Sequence, residues 1–337
     1  MTFAMRLANI LSAAIIAITP PASLVDATPP RPEGKMVDLG GHRLHVHCSG
    51  KGNPTVVVEN GLGDFSFDWT MVQTRVSTFA RICTYDRAGY AWSDPGPKPR
   101  TFDQLNLELR EALVKLEEKP PYVLVGHSFG GPVVRNFAMT YPTDVAGIVF
   151  VDAAFEGQRV GVGGVKTIQL GVDAPKLTIP PPHLAMKDTD KSSGQTASEP
   201  KAQMPLDPMY KALPSKEQEL QLWAQNLPEI EDAEDSQRQW SEVAYARLLA
   251  TPQAGKLGKT PVLVLTRAEG GYQSGLDVSA EQIERERKDG QAMLSRLSSN
   301  SKQVFIHSGH NMELEAPDAV VDAIRQMLDI VQRHKSL

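Results

Sequence analysis

A Gly-His-Ser-Phe-Gly segment at residues 126–130 contains the side chain best suited to covalent chemistry in this sequence. It follows the apolar run 122–125, which is typical of a buried strand, and Pro132 just beyond it suits the first turn of a helix. A serine between two glycines at such a strand-to-helix turn forms a nucleophile elbow, in which the hydroxyl projects above the sheet. The pattern therefore predicts that Ser128 is a nucleophile; the alternative is an ordinary glycine-rich turn.

A serine hydroxyl of ordinary acidity is a weak nucleophile and needs a neighbouring base. Among the eight histidines, His310 has the best position, because it lies in a loop between the last predicted strand and the final predicted helix. It follows Ser128 in the chain, and that order is typical of sites built on an elbow serine. His307, within the last predicted strand, is the alternative base, and His127 is expected to point away from the site.

Strands and helices alternate along most of the chain, which predicts a mostly parallel sheet flanked by helices. Predicted helices begin at Thr101, which has Gln104 three residues later as a capping box, and at Pro317. The predicted strands are 37–39, 42–48, 55–59, 81–85, 122–125, 145–151, 261–266 and 303–307.

Between the sixth and seventh of these strands the alternation fails. Helical patterns at 215–226 and 236–249 follow a long polar stretch, and the acidic run between them is expected to be a solvated approach to a helix. We therefore predict a core formed by 36–153 and 259–335, with a largely helical cap inserted at 154–258.

The net charge of the chain bears on its partners. The formal net charge of −5 and the pI near 5.9 argue against a nucleic-acid partner, which would require a basic patch.

Residues 1–27 have a basic start, a short apolar centre and a small-residue cleavage pattern, as in a secretory signal. That centre is too short to span a bilayer. The mature protein is expected to be secreted or periplasmic without a membrane span; an N-terminal tether is the alternative.

The two cysteines, Cys48 and Cys83, agree with export. An even number of cysteines in an exported protein suggests a disulfide, whereas in the cytosol two buried thiols would be expected. A bridge closing this 35-residue loop would stabilise the fold by about 4 kcal/mol in the chain-entropy model.

Three segments together resemble the α/β-hydrolase superfamily. They are the elbow, the Tyr-Asp-Arg-Ala-Gly-Tyr segment at 85–90 and the Gly-His…Glu-x-Pro pattern at 309–317. The resemblance covers residues 36–153 and 259–333. It implies an α/β-hydrolase fold, with a mostly parallel eight-stranded sheet flanked by helices, and a serine–histidine–acid triad.

The resemblance also implies an oxyanion hole and a cysteine pair. In this family two backbone N–H groups hold the oxyanion, and the matching residues are Phe129, after the nucleophile, and Leu62. Asn60 replaces the histidine that usually begins the latter loop. The family's strand order places the second strand antiparallel beside the fourth, which would bring Cys48 and Cys83 together.

The acid is the triad member that the resemblance leaves open. The family commonly places an aspartate after the seventh strand, but the nearest position here is Gly270. Asp152 ends the sixth strand, from which certain haloalkane dehalogenases take their acid, and Glu269 lies one residue from the usual position. Asp152 is the preferred acid and Glu269 the alternative.

The implied activity is hydrolysis of a small-molecule carboxylic ester through an acyl-enzyme. Amide, lactone, thioester or carbon–carbon bond hydrolysis and acyl transfer use the same triad, and a ligand-binding relative with slow turnover is the alternative from another class. Trp92 and Met312 are expected to line the substrate pocket or to belong to the core. No cofactor is implied, and the sequence shows no metal cluster at ligand spacing.

Overall fold

The computed structural model describes residues 29–162, 166–187, 204–268, 270, 276–333 and 336–337. The chain divides into two compact units, Met1–Arg31 and Pro32–Leu337, and only the end of the first unit is described. The predicted secretory signal and the alternative acid Glu269 lie outside the described residues. Within the described ranges, no helix has both the length and the apolar composition needed to cross a bilayer.

Eight strands of the described chain form one sheet. They are β1 (Lys35–Asp38), β2 (Arg43–Ser49), β3 (Val56–Glu59), β4 (Ile82–Tyr85), β5 (Tyr122–His127), β6 (Val145–Val151), β9 (Val262–Arg267) and β10 (Ser301–Ile306). Their order in the sheet is β1-β2-β4-β3-β5-β6-β9-β10. The pairs β1–β2 and β2–β4 are antiparallel, and the other neighbours are parallel. This sheet confirms the predicted fold.

Helices cover both faces of the sheet because its central strands are buried on both sides. β3 and β5 have no exposed residue, and their side chains divide between two core clusters on opposite faces. The helices outside the insertion are α1 (Thr70–Val76), α2 (Phe102–Lys115), α3 (Gly130–Thr140), α6 (Ala280–Ser295), α7 (Met312–Glu315) and α8 (Pro317–Arg333). Thr101 caps α2 by accepting a hydrogen bond from the Gln104 backbone N–H, as its sequence predicts.

The segment between β6 and β9 contains a hairpin and two long helices. β7 (Arg159–Val162) pairs antiparallel with β8 (Lys166–Gln169), and α4 (Ser215–Ala224) precedes α5 (Pro228–Leu249). The hairpin was not predicted, and α5 begins eight residues earlier than its helical pattern suggested. The acidic run therefore forms the first turns of α5, where carboxylates interact favourably with the helix dipole. The cap boundaries at 154–258 stay a prediction.

A disulfide joins the antiparallel neighbours β2 and β4. Cys48 of β2 and Cys83 of β4 lie directly opposite each other in the strand register, and their sulfurs are bonded. The predicted bridge is therefore present, and it connects segments 35 residues apart in the chain.

Candidate active site

The turn between β5 and α3 holds Ser128 in a strained conformation. Its φ of 48° lies in the left-handed region, which costs a non-glycine residue about 1–3 kcal/mol. The flanking glycines allow the close approach that enforces this turn. A Cβ on Gly130 would lie 2.2 Å from the Glu59 carbonyl oxygen, and one on Gly126 would lie 2.7 Å from the Gly130 carbonyl oxygen. The elbow therefore needs glycine at both positions.

The structure brings three of the predicted site residues into one hydrogen-bonded line. His310 Nε2 lies 2.9 Å from Ser128 Oγ, and His310 Nδ1 lies 2.6 Å from Asp152 Oδ2. The Asp152 side chain is buried, whereas the imidazole is partly buried, with 37% of its surface exposed. The alternative base, His307, is exposed and lies one residue beyond β10. This line has the connectivity of a nucleophile, a base and an orienting acid.

Two arginines lie beside the Asp152 carboxylate. A guanidinium nitrogen of Arg267 is 3.4 Å from Oδ2, and one of Arg287 is 3.9 Å from Oδ1. The Arg267 backbone N–H also donates to Oδ1 over 3.3 Å. Burial raises the pKa of Asp152, but the hydrogen bond to His310 and the charge of Arg267 outweigh it, so that the pKa lies below its usual value. Asp152 is therefore ionised at neutral pH.

The imidazole of His310 is held neutral at neutral pH. Burial lowers its pKa, and the hydrogen bond to Asp152 raises it. The charge of the nearby His127 ring lowers the pKa further. The net direction is a pKa below the usual value. A neutral imidazole can accept a proton from a hydroxyl, so the ring has the state that a general base requires.

The Asn-Gly-Leu-Gly loop after β3 is anchored by Arg87. The guanidinium donates to the carbonyl oxygens of Asn60, over 2.8 Å, and of Gly61, over 2.5 Å. It also forms a buried ion pair with Glu59 at 3.0 Å. The Asn60 side chain donates to the Tyr85 carbonyl oxygen over 2.9 Å, so the residue that replaces the usual histidine ties this loop to β4.

The two predicted oxyanion donors belong to residues of one apolar cluster. Phe129 is buried and packs edge-on against Phe102, which also contacts Tyr245 of α5, and Leu62 packs against the same group. Within the part of the chain that the structure describes, the backbone N–H groups of Leu62 and Phe129 donate to no protein acceptor. Both groups are therefore available to a ligand.

The two predicted pocket residues lie in different places. Trp92 is part of an aromatic cluster, with ring centroids 4.7 Å from His45, 5.7 Å from Phe67 and 5.1 Å from Trp223 of α4. Met312 has no exposed surface and packs in the core on one face of the sheet, which is the second placement that the sequence allowed. Trp92 thus contacts the insertion, whereas Met312 belongs to a core cluster.

Sequence reasoning assigned no role to several charged residues that contact the site. They are the two arginines beside Asp152, the loop anchor Arg87, and a group formed by half-buried Asp64 and buried His127 and Glu313. Arg87 belongs to the segment at 85–90 that carried the family resemblance, so this segment could have indicated that Arg87 has a role near the site. The others lie on separate elements, and their proximity depends on the tertiary fold.

The comparisons with solved structures agree with the architecture. The meta-cleavage product hydrolase CumD of Pseudomonas fluorescens IP01 is 17% identical, with a TM-score of 0.59, over 88% of this chain and 98% of that chain. The CarC serine hydrolase involved in carbazole degradation is 15% identical, with a TM-score of 0.60, over the same shares. At these identities the likeness establishes the fold.

Sequence comparisons identify the family. The uncharacterized protein YbdG of Bacillus subtilis strain 168 is 32% identical over 130 residues, which are 38% of this chain and 40% of that protein. The chain spans less than half the length of the curated relatives it matches. The alpha/beta hydrolase family model matches residues 56–323, which is well over half of the chain. The protein therefore belongs to the alpha/beta hydrolase family.

Proposed function

We propose that the protein is a serine hydrolase that cleaves a carboxylic ester through an acyl-enzyme intermediate. The observation that carries the proposal is the hydrogen-bonded line from Ser128 through His310 to Asp152, with separations of 2.9 and 2.6 Å. Its groups match the nucleophile, general base and orienting acid of a serine hydrolase. The proposed reaction uses no cofactor.

In this mechanism the Ser128 hydroxyl attacks the ester carbonyl while His310 Nε2 takes its proton. The Leu62 and Phe129 backbone N–H groups donate to the resulting oxyanion. His310 then gives the proton to the leaving alcohol as the C–O bond breaks, and an acyl-serine remains. Water attacks the acyl-serine with the same histidine as base, which releases the acid and restores the hydroxyl. Asp152 stays ionised and stabilises the imidazolium that forms in each step.

The first prediction tests the nucleophile. Ser128→Ala should remain folded and lose ester turnover on the order of a million-fold, because base and acid cannot act without the hydroxyl. A fluorophosphonate probe should label the unaltered protein on the peptide that contains Ser128 and should not label the variant. Ser77→Ala, which alters a half-buried serine after α1, is the matched control. A folded Ser128→Ala variant with more than about a tenth of normal turnover would contradict the assignment, since it far exceeds residual catalysis.

The substrate class needs a separate experiment, because fold and triad are shared by many reactions. We infer that the insertion between β6 and β9 selects the substrate, since α4 and α5 contact the Trp92 and Phe129 clusters beside the site. A screen of chromogenic esters of increasing acyl length, together with amide, thioester, lactone and C–C substrates, would rank these reactions. Binding with negligible turnover of every compound would favour the ligand-binding alternative.

We also infer that the protein is exported. The sequence pattern of residues 1–27 and the Cys48–Cys83 disulfide both support an oxidising compartment. The mature protein should then begin at Thr28, and N-terminal sequencing of material from the native host would test this. An intact N-terminus on cytosolic protein would contradict it.

A further inference from the structure

A single buried imidazole joins the two loops on which the proposed mechanism depends. His127 Nδ1 lies 3.0 Å from Asp64 Oδ2, and its Nε2 lies 3.1 Å from the backbone oxygen of His310. The same Asp64 oxygen accepts a hydrogen bond from the Gly61 N–H over 2.9 Å. The ring therefore connects the loop that would hold the oxyanion to the loop that carries the proposed base.

The two partners of this ring determine where its protons lie. A backbone carbonyl oxygen can only accept, so His127 Nε2 must carry a hydrogen. An ionised carboxylate also only accepts, so Nδ1 must carry a hydrogen as well. A neutral imidazole has one N–H and would satisfy only one partner. With Asp64 ionised, both contacts at these distances require the imidazolium.

The surrounding charges favour that state. Glu313 Oε2 lies 3.8 Å from Nε2. Burial lowers the pKa of His127, but the charge of Glu313 and the hydrogen bond to Asp64 outweigh it and raise the pKa to about 10. The Asp64 pKa lies below its usual value, since His127 outweighs burial. Among the described residues, the titratable and charged groups around this pair are Asp64 and Asp68 after β3, Arg87 after β4, Tyr210 before α4, Glu234 of α5, His310 after β10, and Glu313 in α7.

We propose that His127 is a doubly protonated positioning residue that fixes the oxyanion loop and the His310 loop relative to each other by donating to both. This inference rests on the proposed function, because it concerns the alignment of that triad. Gly61 makes the arrangement possible: a Cβ there would lie 2.3 Å from Asp64 Oδ2 and 3.0 Å from His127 Nδ1. The loop must therefore lack a side chain where the ring and the carboxylate meet.

A fixed cation at this position also acts on the base. The ring centroids of His127 and His310 are 4.8 Å apart, so a charge on the first ring disfavours a charge on the second. Removing the cation should raise the pH at which His310 becomes neutral, by roughly one unit for partly screened charges at this separation. A residue that only fills space would produce no such change.

Nuclear magnetic resonance of the protein with ¹⁵N-labelled histidine side chains tests the protonation state directly. His127, assigned by the signal that disappears in His127→Gln, should show two protonated ring nitrogens from about pH 6 to 9. In Asp64→Asn, which keeps an oxygen acceptor but removes the charge, His127 should lose a proton within that range. A neutral His127 ring at pH 7 in the unaltered protein would overturn the inference. Because this readout needs no substrate, it is independent of the Ser128→Ala test.

Kinetics test the positioning role. His127→Gln offers a single amide nitrogen to two acceptors, so kcat should fall about 10- to 100-fold, as for a small misalignment of reacting groups. The acidic limb of kcat/KM should move to higher pH by roughly one unit. His45→Gln is the matched control, since buried His45 also lies between a carboxylate, Asp86 at 2.7 Å, and a backbone carbonyl, that of Glu33. The His45→Gln substitution should lower thermal stability without shifting the acidic limb of the kcat/KM profile. If that limb does not shift in His127→Gln, the proposal is overturned.

Discussion

The ionisation of single residues determines how the proposed reaction should respond to pH. His310 must be neutral to accept the serine proton, and burial holds its pKa below the usual value of about 6.5. The rate should therefore increase as pH rises through an apparent pKa below that value. Asp152, whose pKa is also lowered, stays ionised throughout this range. It should therefore add no second change of rate with pH near neutrality.

The second prediction concerns the base. His310→Ala should lose turnover nearly as completely as loss of the nucleophile does, about a million-fold, because the two groups act as a unit. His307→Ala alters an exposed side chain three residues away and should retain near-normal activity. Steady-state kinetics of both variants, with a pH profile of the unaltered protein, would check this. An essential His307 and a dispensable His310 would contradict the geometry of the site.

The third prediction concerns the acid. Asp152→Asn keeps the shape of the side chain but removes the charge that orients and stabilises the imidazolium, so kcat should fall about ten-thousand-fold. Glu269→Gln, which alters the alternative acid, should leave most of the turnover intact. Measured kcat values for the two variants distinguish the assignments. The reverse result would identify Glu269 as the acid and leave the serine hydrolase proposal standing.

The sequence was informative about the site where a residue belongs to a short motif. Ser128 and His310 could be proposed from the sequence because an elbow and a strand-end loop have local signatures, and the structure places their side chains 2.9 Å apart. Asp152 could not be chosen over Glu269 with certainty, since the choice depends on which strand end meets the His310 loop in three dimensions. His127 was expected only to point away from the site; its partners come from segments 63 and 183 residues distant.

At the scale of elements, the site depends on how closely α3 approaches the ends of the strands. Gly131 is the second residue of this helix, and a Cβ on it would lie 2.3 Å from the Cβ of Ala153, the residue that follows Asp152. The packing of α3 and the position of the acid are therefore coupled. A small change in helix position would shift both ends of the hydrogen-bonded line.

The fourth prediction tests this coupling. Gly131→Ala should destabilise the protein by about 1–3 kcal/mol, the usual cost of overpacking, and should also lower kcat because Asp152 is displaced. Gly255→Ala is the control: its φ is 74° with nothing within 4 Å of the added Cβ, so it should cost about 1–2 kcal/mol without affecting kcat. Thermal unfolding and kinetics of both variants provide the measurements. Normal kcat in Gly131→Ala would show that helix and acid are not coupled.

Elements of the sheet were predicted more closely than those of the insertion, for a physical reason. The buried strands β5 and β6 contain the apolar runs 122–125 and 145–151, which stand out from their surroundings. The strands β7 and β8 are four residues each and largely exposed or half-buried, so they lack such a pattern. The start of α5 was missed because its first turns are acidic and the helix as a whole is only weakly amphipathic.

At the scale of the whole molecule, the sheet order explains why two distant cysteines meet. β2 lies beside β4 and antiparallel to it, with β3 on the far side of β4. The chain between Cys48 and Cys83 therefore includes β3 and α1 and returns to the neighbouring strand. Closing this loop restricts the unfolded chain, which is the main way in which a disulfide stabilises a fold.

The fifth prediction follows from that restriction. Replacing both cysteines, Cys48→Ala with Cys83→Ala, should lower the free energy of unfolding by about 2–4 kcal/mol, because the unfolded chain regains the entropy of a 35-residue loop. Turnover at low temperature should be nearly unchanged, since the bridge joins β2 to β4, whereas the proposed triad lies at the ends of β5 and β6 and in the loop after β10. Denaturant unfolding with and without reductant is the measurement, and reductant should destabilise only the unaltered protein. Equal destabilisation of both proteins by reductant would show that the effect does not come from this disulfide.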